Sequence, residues 1–293
     1  MRFADIGQQL RAFRLESGMR AEEIAARLGV SRAALYRYEK GDVIKLDTIK
    51  RLAELLKISP LSLLGIGVEY YNRPVGYFER LRQVEETAEQ ILQVDGPVCY
   101  LTTTDGYDAA LAEAWAEAAE MAGAERAAVR AAIEQVTGIQ AARKRMYAMR
   151  RPGIICILSV SRLLAFLDSG IGCGIASSER VRRLGRQAAA VEVERMADLM
   201  ETEPMGLQFG VLPDSEPNGA FAVLRARDRD SLTVNPFRPD GMPTGTIGVA
   251  MITGAEEAVS AHQRAAEALW REALKGAAAA ARVRQMMAQA RAA

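Results

Sequence analysis

The sequence predicts an all-α N-terminal domain of four or five short helices, followed by a larger α+β (or α/β) domain built on one sheet. Three observations carry this prediction. Through the first 65 residues apolar side chains recur at helical spacing, in short runs broken by Gly, Ser and Pro. Beyond them, longer helical stretches alternate with apolar runs of strand length. Charge divides at the same place: residues 1–65 carry twelve Lys+Arg against eight Asp+Glu, and the remainder 26 against 29. A basic unit on a mildly acidic body suits a nucleic-acid-binding module whose carrier does not itself touch phosphate.

The bulk properties narrow the class. The 293 residues suffice for two domains, and 49% hydrophobic with 26% charged is ordinary for a globular chain. No apolar run reaches the roughly 18 residues of a membrane-spanning helix. Met1-Arg2-Phe3-Ala4-Asp5 lacks the apolar stretch of a signal peptide, and Cys99, Cys156 and Cys173 have no metal-ligand spacing. These features point to the cytoplasm, where thiols stay reduced.

In the N-terminal part, Ile6, Leu10 and Phe13 mark a first helix that Ser17-Gly18 stops. A second runs over Glu22–Leu28, and Gly29-Val30-Ser31 breaks it; Gly29 in this turn adopts a positive φ at little cost. Ser31 caps a third helix, Arg32–Glu39, closed by Gly41. A fourth, with Asp47 as its expected cap, presents Ile49, Leu52, Leu55 and Leu56, and Ser59-Pro60 opens a last turn. Ala25 is small where two helices must approach closely, and Leu35 and Tyr38 give the third helix its buried face. The spacing Ala-x3-Gly-x5-Leu-x2-apolar is the helix-turn-helix signature.

Gly29–Arg32 through Tyr38–Gly41 resembles the lambda-repressor/Cro (Xre) family of DNA-binding domains, over about residues 5–65. The resemblance implies that Arg14 pairs with Glu39 and fixes the helix that reads DNA. It also implies that Arg32, Ala33, Tyr36 and Arg37 face base edges in the major groove. Arg reads guanine through O6 and N7, while Ala33 offers a methyl contact to thymine. Arg20, Arg27, Ser31, Lys40, Lys45 and Lys50 are the candidate phosphate contacts, which set affinity and register. The family's usual Ser/Thr-Gln at the start of the second helix is replaced by Arg20-Ala21, so Arg20 supplies a cruder phosphate contact.

Residues 67–77, with Gly67, Pro74 and Gly76, read as a linker between domains at 1–66 and 78–293. After it, the pattern predicts helices over Phe78–Val94, Tyr107–Met121, Arg126–Tyr147, Ser178–Met200 and Ala255–Leu274, then an Ala-rich helical tail. Strands are predicted over Pro97–Thr102, Ile154–Val160, Leu207–Leu212, Phe221–Arg225 and Thr246–Ile252. Over about residues 78–288 the order resembles a domain of unknown function that follows an Xre-type helix-turn-helix in many bacterial regulators. Glu85-x2-Ala88-Glu89, Tyr107-Asp108-Ala109-Ala110, Ala141–Arg145, Gln208–Pro213 and Gly219–Leu224 carry that resemblance. Cys99–Thr104 and Ser161 depart from it. It implies no ligand.

Other candidate chemistry is thin. Gly170–Ala176 lacks the Lys-Ser/Thr of a P-loop and reads as a connection to the next helix. The single histidine, His262, has no ligand-spaced companion, so neither a metal site nor a hydrolase triad can be built around it. No cofactor and no enzymatic activity are expected. Cys173 beside a helix start is a candidate redox thiol, whereas Cys156 and Cys99 read as packing. Tyr100, Tyr107, Trp115 and Tyr147 are the aromatics that would line an effector pocket. The expected protein is a homodimeric regulator that binds an inverted repeat in double-stranded DNA under the control of a small effector. Alternatives are control by a docking protein partner or, more remotely, by thiol oxidation.

Overall fold

The computed structural model describes residues 3–94, 96–217, 219–244 and 248–292. The chain opens with α1 (Phe3–Ser17), α2 (Ala21–Leu28), α3 (Arg32–Glu39), α4 (Leu46–Leu56) and α5 (Pro60–Leu63). Local chemistry sets these boundaries. Gly29 ends α2 at a φ of 71°, and the Ser31 hydroxyl accepts the Ala34 amide (3.1 Å) to start α3. Lys45, not Asp47, occupies the cap position of α4, and Asp47 falls in the first turn, where its charge still complements the helix dipole. The buried stripes Ile6–Leu10–Phe13, Ile24–Ala25–Leu28 and Ile49–Leu52–Leu56 close around Leu35.

The rest of the chain is α+β. After β1 (Glu69–Tyr71) come α6 (Pro74–Glu85), β2 (Ala88–Val94), α7 (Asp105–Met121), α8 (Arg126–Arg150) and β3 (Gly153–Ser159). Then follow α9 (Val160–Ser169), α10 (Glu179–Thr202), β4 (Leu207–Leu212), β5 (Phe221–Ala226), β6 (Ser231–Val234), β7 (Ala250–Thr253), α11 (Glu256–Glu272) and α12 (Gly276–Ala292). The strands form one mixed sheet in the order β1-β7-β6-β5-β2-β3-β4. β2, β3 and β4 run parallel, and the remaining pairs are antiparallel. Leu92, Val94, Ile157 and Val223 pack on one face against Val259 and Ala266 of α11. Ile91, Cys156, Leu158 and Leu224 belong to the larger core, shared with α6–α10 and α12. Among the described residues no helix is long and apolar enough to cross a membrane.

Several elements differ from the sequence reading. The helix expected over Phe78–Val94 ends at Glu85, and Ala88–Val94 becomes a central strand hydrogen-bonded to β3 and β5. Pairing on both sides, with Ile91 and Leu92 buried on opposite faces, outweighs local helical preference. The strand expected over Pro97–Thr102 is instead a short 3₁₀ turn at Tyr100–Thr102. There the Thr102 and Thr103 hydroxyls donate back to the carbonyls of Cys99 (3.0 Å) and Tyr100 (2.8 Å), a local alternative to a ladder. α9 and β6 had no counterpart in the pattern. Of the strand expected at Thr246–Ile252, Thr246 and Ile247 lie outside the described residues, and β7 begins at Ala250.

The segment expected as a linker, 67–77, is ordered structure. Its Glu69–Tyr71 pairs with Ala250–Ile252, and Pro74 begins α6 with its fixed φ. Tyr71 stacks on Phe13 of α1, ring centroids 5.4 Å apart and 10° from parallel. The Glu16 carboxylate accepts the amides of Asn72 (2.8 Å) and Arg73 (3.2 Å) and so ties the residues that lead into α6 to α1. Gly76 is required here, because a Cβ would come within 2.7 Å of the Glu16 Cβ. One buried core therefore runs from Ile6 through Tyr71 and Phe78 to the helices on the sheet.

Candidate nucleic-acid interface

α3 is held from behind and open in front. Leu35 is fully buried, and Glu39 is nearly so. Arg14 on α1 donates to both Glu39 carboxylate oxygens, Nε to Oε1 at 2.5 Å and Nη2 to Oε2 at 3.1 Å. This is the pair the Xre resemblance implies. A bidentate guanidinium–carboxylate pair fixes orientation as well as distance, and this one locks the end of α3 against α1. Gly7 allows the two helices to approach: a Cβ there would meet the Tyr38 carbonyl oxygen at 2.5 Å. Sequence reading missed Gly7, because a glycine inside a helical run signals close contact only when the facing backbone is known.

The front of α3 carries the residues expected to read bases. Arg32, Ala33 and Arg37 are exposed and Tyr36 is half-buried. Arg32 pairs with Glu22 (2.7 Å), donates to the Tyr36 hydroxyl (3.3 Å) and lies 5.3 Å from the centre of its ring. Arg37 faces Asp42 at 3.5 Å. These pairs are solvent-exposed, and such pairs contribute about 0–1 kcal/mol, so either arginine is readily released to a stronger acceptor.

The candidate phosphate contacts border α3 along the chain, and all are exposed. Arg20 is the N-cap of α2 and Arg27 is in its last turn, paired with Glu23 at 2.7 Å. Ser31 caps α3, Lys40 closes it, Lys45 caps α4 and Lys50 lies within α4. The arrangement is an apolar-backed helix with a polar, cationic front.

The four aromatics expected to line an effector pocket do not converge on one cavity. Tyr100, Tyr107 and Trp115 are core residues, between 1% and 5% exposed. Tyr107 packs edge-on against Tyr100 at 5.9 Å, and Trp115 Nε1 donates to the Gly241 carbonyl (3.1 Å). Of the four, Tyr100 lines a cavity on the α6 face of the sheet, and Trp115 borders a separate groove between α7 and α8. The reason is physical: large rings on long helices are drawn into the helix–helix core. Cys99 and Cys156 are buried and Cys173 is exposed. His262 rests edge-on against Phe221 (4.9 Å), its Nδ1 2.8 Å from the Ala258 carbonyl.

In comparison with known proteins, residues 10–63 match the Helix-turn-helix family model. No curated protein and no solved structure matches the chain. The match covers α2–α5 and most of α1, so it includes the Arg14–Glu39 pair and the whole front of α3. Residues 10–63 are thus a helix-turn-helix domain, and the protein that carries them is a DNA-binding regulator of transcription.

Proposed function

We propose that this regulator reads DNA through the front of α3, binds an inverted repeat as a homodimer, and is controlled by a small effector held in the α+β body. Arg32 and Arg37 read guanines, Ala33 and Tyr36 make apolar contacts, and the six residues around α3 anchor the phosphates. The observation that carries this reading is the exposed Arg32/Arg37 face of a helix whose opposite face is clamped by Arg14 and Glu39. Effector control is supported by the continuous packing from that clamp through α1 to α6 and the sheet.

The test is a gel-shift series on a duplex selected from a random library. Arg32→Ala or Arg37→Ala should cost about 1–3 kcal/mol on the selected duplex and little on a scrambled one. Equal losses on both would reduce these arginines to phosphate contacts.

A further inference from the structure

Among the described residues a partly open cavity of about 790 Å3 lies on the α6 face of the sheet. This volume is within the range of small-molecule sites, about 300–1,000 Å3. Its position is also that of a ligand site. Val94 ends β2 there, α9 enters it from the carboxyl end of β3, and Thr233 and Asn235 bring in the end of β6. In sheets with parallel strands, ligands bind outside the carboxyl ends of the strands.

The walls define the chemistry. Tyr77, Phe78, Tyr100, Phe166 and Phe237 supply aromatic side chains from four separate segments. Charges are present but, among the described residues, already matched. Arg143 donates to both oxygens of Glu85 (2.8 and 2.7 Å), and both side chains are almost completely buried. At the mouth Arg162 pairs with Glu216 (2.8 Å), and Arg238 holds Asp240 through two bonds (3.0 and 2.8 Å). A charged ligand reaching the interior would lose its hydration and find the buried Arg143 and Glu85 already engaged with each other, since only the half-exposed Arg162–Glu216 pair at the mouth is readily released. A neutral ring would meet aromatic faces and edges, which favour offset and edge-on contact.

α6 links this cavity to the DNA-reading helix. Tyr77, Phe78, Leu81 and Glu85 line the cavity. From the same helix Glu79 pairs with Arg11 (2.8 Å), and Gln83 donates to the Gln8 carbonyl (3.0 Å), both on α1. α1 in turn holds α3 through Arg14 and Glu39. We infer that the cavity binds a neutral, aromatic small molecule, and that the bound molecule shifts α6 against α1 and thereby α3. The inference rests on the effector-controlled reading for its consequence but not for its site.

The experiment uses the full chain and N-phenyl-1-naphthylamine, a neutral fluorescent aromatic, with the anionic anilinonaphthalene-8-sulfonate beside it. The neutral probe should saturate at one per chain and bind at least tenfold tighter than the anionic one. Ala222→Phe and Ala165→Trp fill the cavity from its floor and its mouth. Each should weaken the neutral probe at least tenfold while circular dichroism stays unchanged. Wild-type affinity in both folded variants, or equal binding of the two probes, overturns the site or its ligand class. So does displacement of the probe by neutral dodecanol at lower concentration than by neutral naphthalene derivatives. Saturating neutral probe should change affinity for the selected duplex by 5-fold or more, and Glu79→Gln should shrink that change while leaving probe binding intact. A probe that binds as described yet leaves DNA affinity unchanged overturns the α6–α1 relay and effector control, and the cavity assignment stands.

Discussion

Phe13 and Tyr71 lie almost parallel, 5.4 Å between ring centres, and join the first helix of the DNA-binding domain to the first strand of the sheet. Both rings are essentially excluded from solvent. Phe13→Ala or Tyr71→Ala should therefore cost about 3–5 kcal/mol. In the wild type the helix-turn-helix and the body should unfold as one unit. Both tryptophans, Trp115 and Trp270, lie in the body, so their fluorescence reports it selectively. Thermal loss of that signal should coincide with loss of DNA binding in the wild type. Two separate transitions there would show that the stack does not join the two parts.

Phosphate anchoring has its own signature. Arg27→Ala or Lys50→Ala should weaken matched and scrambled duplexes alike. Each should lower the slope of log affinity against log salt by about 1. A slope that stays at the wild-type value in both variants would move the DNA track away from these residues.

The contact between α1 and α6 should respond to acid. Burial alone would push the Glu79 carboxyl up, but Arg82, Arg11 and Gln83 together hold it below the ordinary carboxylate value. A carboxyl depressed in the folded state contributes stability above its unfolded pKa, and that contribution fades as pH falls through the folded value. Stability should thus decline below about pH 4, from the unfolded carboxyl value downwards. Urea unfolding at a series of pH values should show a shallower decline in Glu79→Gln than in the wild type. An identical decline in the two proteins would assign the effect to other carboxylates.

A single domain of this size contacts too few base pairs for specificity, so two are expected on one site. Light scattering should give a dimer, and footprinting should give two half-sites about 34 Å apart or a multiple of it. A monomer protecting one half-site would remove the dimer from the mechanism.

How much of this was legible in the sequence depended on the range over which each feature is decided. Gly29, Ser31 and Pro60 act on their immediate neighbours, and the short helices they bound were readable directly. The Arg14–Glu39 pair spans 25 residues and came from family resemblance, not from spacing. β2 was misread because its state is set by partners far along the chain: Ile91 pairs with Ile154 on one side and Leu224 on the other. The supposed linker failed for the same reason, since Glu69–Tyr71 looks irregular until Ala250–Ile252 lies beside it. The cavity was invisible for a different reason. Phe166 and Phe237 are apolar residues like any others until three strand ends bring them together.

The pairing of β1 with β7 also bears on the order in which the protein is made. Residues 3–63 have their own local turns and caps and can become helical as soon as they leave the ribosome. The strand that joins them to the sheet, Glu69–Tyr71, finds its partner only at Ala250–Ile252, far along the chain. Such distant pairing forms late, because closing a long loop precedes any reward from contact. The nascent chain thus carries a DNA-reading surface already packed on α6 well before β7 emerges, and β1 joins that surface to the sheet only once β7 has been made.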